Sequence, residues 1–200
     1  MSDAVLGADG RARCGWAGST PDYLAYHDDE WGVPLHGEQA LYERLSLEGF
    51  QSGLSWITIL RKRDSFRQAF ADFDPAVVAE FTEVDVERLM ADAGIVRNRA
   101  KILAAIKNAK AVLELDGGLD ELLWSFAPTD HKPPRGNGEV AATTVESTAM
   151  SKHLKKLGFG FVGPTTCYAM MQATGMVDDH LIDCWRSGAK KSPAKKKNRA

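Results

Sequence analysis

The stretch SKHLKKLGFGFVGPTTCYAMMQATG, Ser151–Gly175, decides the fold of this chain. A lysine-bearing helix leads into a tight turn with three glycines, and a second, apolar helix follows at once. Pro164 stands where that second helix begins, a position at which its missing N–H is not needed. The pattern predicts a helix-hairpin-helix, two short helices joined by a glycine turn.

The predicted turn is suited to contact with phosphate. A tight turn that opens a helix directs backbone N–H groups and the positive helix end outward, which favours a phosphate oxygen whatever the base sequence. The predicted contacts are Gly158, Gly160, Val162, Gly163 and Lys155, with Lys152 and Lys156 close by. A glycine turn also joins helices for packing alone, so the motif by itself leaves both interpretations open.

Helical periodicity continues through most of the chain, because apolar residues recur at helical spacing in many segments. These segments are Asp22 onward, Gln39–Glu48, Ser52–Arg63, Pro75–Glu80, Val84–Ala93, Asn98–Glu114, Leu119–Ser125, Thr148–Leu157 and Pro164–Thr174. Segments that alternate as strands do are nearly absent, and residues 128–140 are rich in proline and glycine. We therefore predict an all-α fold.

Length and composition limit the class of protein. Two hundred residues with 44% hydrophobic content fit one domain, or two small lobes around a cleft, without support from disulfides. No signal peptide or membrane-length apolar run stands out, so we expect a soluble, cytoplasmic protein without a membrane partner. Three cysteines cannot all pair within one chain, which favours reduced thiols or metal ligands.

The two ends of the chain differ from its middle. Residues 1–13 are small and polar without periodicity, so we predict a flexible N-terminus before a domain at 14–187. The net charge is −2, yet residues 190–200 carry six Lys or Arg and no acid, which predicts a basic disordered tail over 188–200. Such a tail adds salt-sensitive attraction to nucleic acid or only improves solubility, and both interpretations stay open.

Cysteine and histidine residues from the two ends of the chain form a candidate metal set. His180 and Cys184 are four residues apart and share a face if their segment is helical. With Cys14 and His27 they offer two thiolates and two imidazoles, the closed tetrahedral set of structural zinc. The spacing is not that of a zinc finger, so two buried cysteines and two ordinary histidines remain an alternative.

Glu48 interrupts the otherwise apolar stretch LEGFQSGLSWITIL, Leu47–Leu60. A carboxylate in such surroundings is costly unless it is paired or used by a ligand. Trp56 lies in the same stretch, and an aromatic face beside a carboxylate makes a slot for a flat, cationic ring. Tyr23 and Tyr26 are neighbours on the first helix, although most aromatic residues in a domain of this size simply fill the core.

Together these motifs resemble the 3-methyladenine DNA glycosylase I family, within the helix-hairpin-helix DNA glycosylase superfamily. The matching segments follow in order from Cys14 to about Trp185. They are CGW at Cys14, YHDDEWGVP from Tyr26, LEGFQSGLSWITIL from Leu47, AGIVRNRAKI from Ala93, GFGFVGPTTCYAMMQATGMVDDH from Gly158, and Cys184. Residues 1–13 and the basic tail lie outside the resemblance.

The resemblance implies a two-lobed, all-α protein with one structural zinc ion, Zn²⁺, that joins the N- and C-terminal segments, and we expect a monomer. It also implies a repair enzyme that flips 3-methyladenine out of alkylated double-stranded DNA and hydrolyses its glycosidic bond. The products are free 3-methyladenine and an abasic site. The residues that match the family's site are Glu48 as the catalytic group, Trp56, Tyr26, Tyr23 and Trp16 at the base, and Cys14, His27, His180 and Cys184 at the zinc.

Two points concern GMVDDH, Gly175–His180. The family usually has asparagine where this chain has Asp178, whereas the wider superfamily has an aspartate that supports cleavage. Asp178 therefore either assists chemistry at the sugar or only contacts His180, and we favour the second because the base-binding residues match the specialised family. No lysine lies between Gly163 and Asp178, which predicts hydrolysis without lyase activity.

Two other functions compete with this interpretation. One is a glycosylase of the same superfamily that acts on another lesion, and the other is a catalytically silent DNA-binding module. The presence of Glu48, Trp56 and both tyrosines argues against the silent module, which would not need them.

Overall fold

The structure is a computed structural model of the chain and describes residues 3–188. Apart from its first residue, the tail predicted at 188–200 lies outside the described residues. The described part of the chain contains nine α-helices: α1 Pro21–Asp29, α2 Glu38–Gln51, α3 Trp56–Ala69, α4 Pro75–Ala79, α5 Glu83–Ala91, α6 Arg99–Leu113, α7 Gly118–Trp124, α8 Val145–Lys156 and α9 Pro164–Ala173. Short 3₁₀ helices occupy Gly15–Ser19, Ala71–Phe73 and Asn137–Glu139. None of the helices described is long and apolar enough to cross a membrane.

The predicted helical class is confirmed, and the helix ends follow local rules. α6 begins after Asn98, whose side chain accepts a hydrogen bond from the Lys101 N–H. α3 begins at Trp56 instead of Ser52, because Gly53 adopts a φ of 80° that an α-helix does not have. Four residues thus form a separate connection between α2 and α3.

The N-terminal segment is a β-hairpin, which corrects the prediction that the residues before Cys14 lack regular structure. β1, Ala4–Leu6, pairs antiparallel with β2, Ala12–Cys14. An ion pair of 2.7 Å between Arg13 and Asp28 fastens β2 to α1. Strands of three residues are too short to show the alternation by which a sequence reveals a strand.

The chain divides into two compact units, and the first combines Met1–Leu35, Ala127–Ala142 and Met171–Ala200, as far as these are described. This unit contains the hairpin, α1 and the segment after α9. Part of its core is a cluster of three buried residues, Cys14, Leu181 and Cys184. Partly buried side chains pack against that cluster, namely Ala4, Trp16, Trp31 and Trp185.

The second unit comprises His36–Phe126 and Thr143–Met170 and includes α2 to α8. Its core contains a run of stacked and tilted phenylalanine rings, Phe50, Phe66, Phe70 and Phe73. Aromatic pairs of this kind add to the free energy gained by burial alone. The rings fix α2 and α3 against each other, and the connection between these two helices carries the second candidate site.

Candidate functional site

Cys14, His27 and Cys184 converge in the first unit, as the metal prediction requires. Their ligand atoms lie within 4.8 Å of one another, and all three side chains are buried. The fourth predicted member, His180, is fully buried, and its ring centroid is 5.0 Å from that of His27. His180 Nε2 has no hydrogen-bond partner among residues 3–188. Three of the four predicted donors, which come from the two ends of the chain, are therefore brought together, and His180 lies beside His27.

A carboxylate holds the far nitrogen of each histidine. His27 Nδ1 bonds Asp28 Oδ1, and His180 Nδ1 bonds Asp178 Oδ1, each at 2.8 Å. Because a carboxylate only accepts, each Nδ1 carries the proton and each Nε2 keeps a lone pair, and the Nε2 of His27 lies 3.4 Å from Cys184 Sγ. Burial lowers the pKa of His180, which favours the neutral imidazole that a metal needs.

The two cysteines of the cluster form a hydrogen-bonded pair. The bond from Cys14 lowers the pKa of Cys184 well below its usual value, and His27 acts in the same direction against the effect of burial. The Leu181 N–H donates to Cys14 Sγ at 3.4 Å, a contact that suits a thiolate. The hydrogen bond with Cys184 and burial raise the pKa of Cys14, so the pair keeps one proton, which a divalent metal ion would displace on binding both sulfurs.

Asp178 and Asp28 each form hydrogen bonds beyond the one to the neighbouring candidate metal ligand. Asp178 Oδ2 accepts a hydrogen bond of 2.8 Å from the Gly188 N–H, while its other oxygen bonds His180. Asp28 is held by Arg13, which donates to Oδ1 at 2.9 Å and to Oδ2 at 2.7 Å. These hydrogen bonds lower the pKa of Asp28 to about 2, although burial opposes them. The geometry of Asp178 supports its interpretation as a partner of His180.

Glu48 lies near the end of α2 in the second unit and is 4% exposed. Burial raises the pKa of Glu48 to about 7, and the charge of Arg44 opposes that rise. Arg44 lies one turn earlier on α2, is itself buried, and places its guanidinium carbon 5.1 Å from the centroid of the Trp56 ring. A carboxyl group with such a pKa in apolar surroundings is typical of ligand sites.

The other predicted base contacts, Trp16, Tyr23 and Tyr26, lie together in the first unit. The Trp16 ring centroid is 5.4 Å from that of Tyr23 and 6.4 Å from that of Tyr26. It is also 5.2 Å from the His27 ring, so Trp16 packs between the tyrosines and the metal cluster. Glu48 and Trp56, in contrast, belong to the second unit.

The turn between α8 and α9 has hydrogen bonds that the sequence did not indicate. The Gly158 N–H bonds the Lys155 carbonyl at 3.1 Å, and the Gly160 N–H bonds Asn108 Oδ1 at 2.7 Å. This revises the prediction that both glycines donate to phosphate, because their N–H groups are used within the protein. Among the residues described, the N–H groups of 161–163 have no acceptor. Val162 and Gly163 therefore remain candidates, together with the Lys155 side chain.

Three buried polar residues of the second unit were missed by the sequence analysis, namely Arg44, Lys101 and Asn108. A signal existed for two of them, since Arg44 precedes Glu48 by one helical turn and Lys101 lies within the motif AGIVRNRAKI. Asn108 contacts a residue 52 positions away, and nothing in its neighbourhood of the sequence indicates that contact.

Comparison with known proteins agrees with the motifs. The methyladenine glycosylase family model matches residues 16–187. DNA-3-methyladenine glycosylase 1 of Escherichia coli (strain K12) is 49% identical over 179 residues, which cover 86% of this chain and 95% of the relative. A crystal structure of 3-methyladenine DNA glycosylase I has a TM-score of 0.84 and 44% identity, and covers 88% of this chain and 99% of its own. A tyrosine-to-phenylalanine variant of 3-methyladenine DNA glycosylase I in complex with 3-methyladenine has a TM-score of 0.82 and 35% identity, with 92% and 99% covered. On these matches in sequence and fold, the chain belongs to the methyladenine glycosylase family.

Proposed function

We propose that this chain is a DNA glycosylase of base-excision repair, which removes 3-methyladenine from alkylated double-stranded DNA. The E. coli relative bears the name of this enzyme, and a similar structure is a complex with 3-methyladenine. The structural observation that carries the proposal is Glu48, a buried carboxyl group whose pKa is raised to about 7. A carboxyl group that served only to stabilise the fold would be fully paired at neutral pH.

The substrate itself supplies much of the driving force. Methylation at N3 places a positive charge on adenine, so the base is a good leaving group and little acid catalysis is needed. The bond from the sugar carbon to the base breaks, the electron pair leaves with the base, and positive charge develops on the sugar. Water then adds to the sugar carbon and releases a proton, which leaves an abasic site and neutral 3-methyladenine.

Glu48 and Trp56 recognise the base in this proposal. The ionised carboxylate accepts hydrogen bonds from donors on the adenine edge and attracts the cationic ring, which is favoured further by the face of Trp56. Discrimination follows because unmethylated adenine lacks the charge and binds the same site more weakly. Tyr23, Tyr26 and Trp16 are proposed as further base contacts because they match the family's motifs.

The duplex is held through its backbone. The N–H groups of 161–163, which have no acceptor within residues 3–188, and the Lys155 side chain offer hydrogen bonds to phosphate, so α8, the turn and α9 act as a helix-hairpin-helix. The target nucleotide is turned out of the stack, as chemistry on a base within a duplex requires. No lysine lies between Gly163 and Asp178, so the reaction ends at the abasic site without strand cleavage.

Cys14, His27, His180 and Cys184 are proposed to hold one zinc ion. Four protein ligands leave no open position, so the ion would join β2, α1 and the segment after α9 and take no part in the reaction. The domain would span residues 14–187. The monomeric state, the cytoplasmic location and a contribution of the basic tail to DNA affinity stay predictions.

The test is incubation with DNA treated with a simple methylating agent, followed by chromatography of the released bases. We expect 3-methyladenine to be released without added cofactor. Release of a different base would assign the chain to another lesion. Tight binding of the DNA with no base released, where a control glycosylase works, would indicate a silent DNA-binding module.

A further inference from the structure

Two buried polar side chains lie at opposite ends of one face of α6. Lys101 and Asn108 are seven residues apart, which is two helical turns and about 10 Å along the axis. Both are almost fully buried, with 8% and 4% of their surface exposed. Ala104 lies between them on the same face, and its small side chain lets other segments approach α6 closely.

Asn108 forms two hydrogen bonds to the backbone of the turn between α8 and α9. Its Oδ1 accepts a hydrogen bond from the Gly160 N–H at 2.7 Å, and its Nδ2 donates to the Gly160 carbonyl at 3.1 Å. A Cβ at Gly160 would lie 3.1 Å from the Cβ of Ala104, so the glycine permits this close approach. One side chain thus satisfies both backbone groups of a single residue of the turn.

The residue after Gly160 needs that support. Phe161 has a φ of 55°, in the left-handed region that a residue with a side chain rarely adopts. On its other side, the Val162 carbonyl accepts a hydrogen bond of 2.6 Å from the Ser151 hydroxyl. Asn108 and Ser151 therefore hold the backbone on both sides of the strained residue, and the N–H groups of 161–163 keep one orientation.

Lys101 performs the equivalent task at the end of α2. Its ammonium group donates to the Phe50 carbonyl at 2.9 Å and to the Ser52 carbonyl at 2.5 Å, where the last carbonyls of a helix lack partners. Ser52 opens the connection that leads to Trp56. The same ammonium group lies 5.9 Å from the centroid of the Phe161 ring, so it also contacts the turn.

We propose that Asn108 and Lys101 are positioning residues, and that one face of α6 sets the distance between the phosphate-contacting turn and the connection between Glu48 and Trp56. This inference rests on the proposed function. The two contacts belong to the same helix, so the backbone-binding turn and the base-recognising segment keep a fixed spacing when DNA binds. Lys101 contacts both segments, which a polar residue that merely filled the core would have no reason to do.

The test distinguishes the effects of the Asn108 and Lys101 contacts by two binding measurements on folded protein. One probe is a short duplex with a tetrahydrofuran abasic-site analogue, and the other is free 3-methyladenine. Asn108→Ala should weaken duplex binding by about tenfold and change binding of the free base by less than about twofold, because only the turn is loosened. Lys101→Met should weaken binding of the free base by about tenfold and change duplex binding by less than about twofold, because methionine keeps an apolar contact with the Phe161 ring.

Two further variants control for charge and for geometry. Lys110→Met removes an exposed charge from the same helix, outside both contacts, and should leave both affinities within about twofold of wild type. Lys101→Arg keeps a donor for the two carbonyls and should recover most of the lost affinity for the base. Gly160→Ala disturbs the turn without removing Asn108, so it provides the same test if Asn108→Ala does not fold.

A merely structural role predicts a lower melting temperature with both affinities retained in the folded fraction. That result, or equal losses of both affinities in each variant, would overturn the proposal. Failure of the proposed function is distinguishable, because it would appear in the wild-type protein as methylated DNA without released base. The difference in duplex affinity between Asn108→Ala and Lys101→Met could still be measured in that case.

Discussion

The candidate metal cluster, Cys14, His27, His180 and Cys184, and the Glu48 cluster, Glu48, Arg44 and Trp56, are both buried. They differ in how far their polar groups are hydrogen-bonded and in the pKa values that result. In the metal cluster each histidine is fixed by a carboxylate, and Asp28 is in turn fixed by Arg13 and by the Trp185 indole N–H at 3.2 Å. In the Glu48 cluster the carboxyl group has a pKa of about 7, because burial is only partly offset by Arg44.

The difference separates a site for a permanent occupant from a site for a transient one. Ligands that neighbours hold in one orientation and one protonation state favour an ion that stays for the life of the protein. A buried carboxyl group whose pKa is near neutral pH lowers the stability of the fold when it ionises. A cationic ligand that binds beside it stabilises the ionised form. Removal of a metal ligand should therefore destabilise the fold, whereas neutralising Glu48 should harm only function.

The largest expected effect is that of Cys184→Ala on stability. The variant should lose the metal, and its free energy of unfolding should fall by about 4 kcal/mol or more, the range that loss of a metal site reaches. Elemental analysis and denaturant unfolding measure the two quantities. Cys167→Ala is the matched control, because Cys167 is fully buried outside the cluster and should keep the metal and lose only about 1 kcal/mol. Equal stability of the two variants would contradict the comparison.

Glu48→Gln should have the opposite signature. Single-turnover excision should fall about a hundredfold, roughly 2.7 kcal/mol, because an amide neither carries the charge nor accepts as strongly. Stability at pH 8 should stay constant or increase. Since the pKa of the folded carboxyl group is raised to about 7, its ionisation costs stability as pH rises from the usual range through 7, and glutamine avoids that cost.

A matched control for this variant is Glu43→Gln, on the same helix. Glu43 pairs with Arg67 at 2.8 Å and belongs to neither candidate site, so its loss should leave excision unchanged. A Glu48→Gln protein that excises as fast as the Glu43→Gln protein would remove Glu48 from the reaction. A large loss of stability in Glu48→Gln would make the carboxyl group a structural one.

The pH dependence of excision tests whether the charge of Arg44 lowers the pKa of Glu48. With subsaturating DNA, the wild-type rate should rise with pH through about 7 as Glu48 ionises. Arg44→Met removes the charge that lowers the pKa of Glu48, so the midpoint should move to higher pH. Glu48→Gln should show no such rise. Single-turnover rates between about pH 6 and 9 test this, and an unshifted midpoint in Arg44→Met would exclude the electrostatic link.

The smallest expected effect is that of Asp178→Asn on the chemical step. The amide oxygen still accepts a hydrogen bond from His180 Nδ1, so excision should fall less than about tenfold, roughly 1.4 kcal/mol. Any cost should appear as weaker metal binding, measured by competition with a chelator. A hundredfold loss of excision with zinc content unchanged would instead make Asp178 a catalytic residue.

Local features of the fold were predictable from the sequence. Pro164 marks the start of α9 because proline tolerates the first helical position, and the periodicity of α6 and α2 gave their approximate extent. The β-hairpin was missed because each strand has three residues. The start of α3 was predicted four residues early because a positive φ at Gly53 is not visible in an apolar pattern.

Contacts between distant segments were not predictable from local patterns. The donors Cys14 and Cys184 are 170 positions apart, so their residue types suggested a shared metal site and the family resemblance supported it, but no local pattern placed them together. No resemblance pointed to Asn108, whose amide contacts Gly160 across two helices. Burial of a polar side chain is decided by what packs over it, so such residues emerge only from the tertiary structure.

The most direct test of the account is the binding of free 3-methyladenine by calorimetry, with wild-type protein and Glu48→Gln. We expect Glu48→Gln to bind the free base at least about tenfold more weakly than wild-type protein does, because an amide accepts the hydrogen bonds of the adenine edge less strongly than a carboxylate. The zinc content of the variant should equal that of wild type. Equal affinity of wild-type and Glu48→Gln protein for 3-methyladenine would contradict the claim that Glu48 recognises the base.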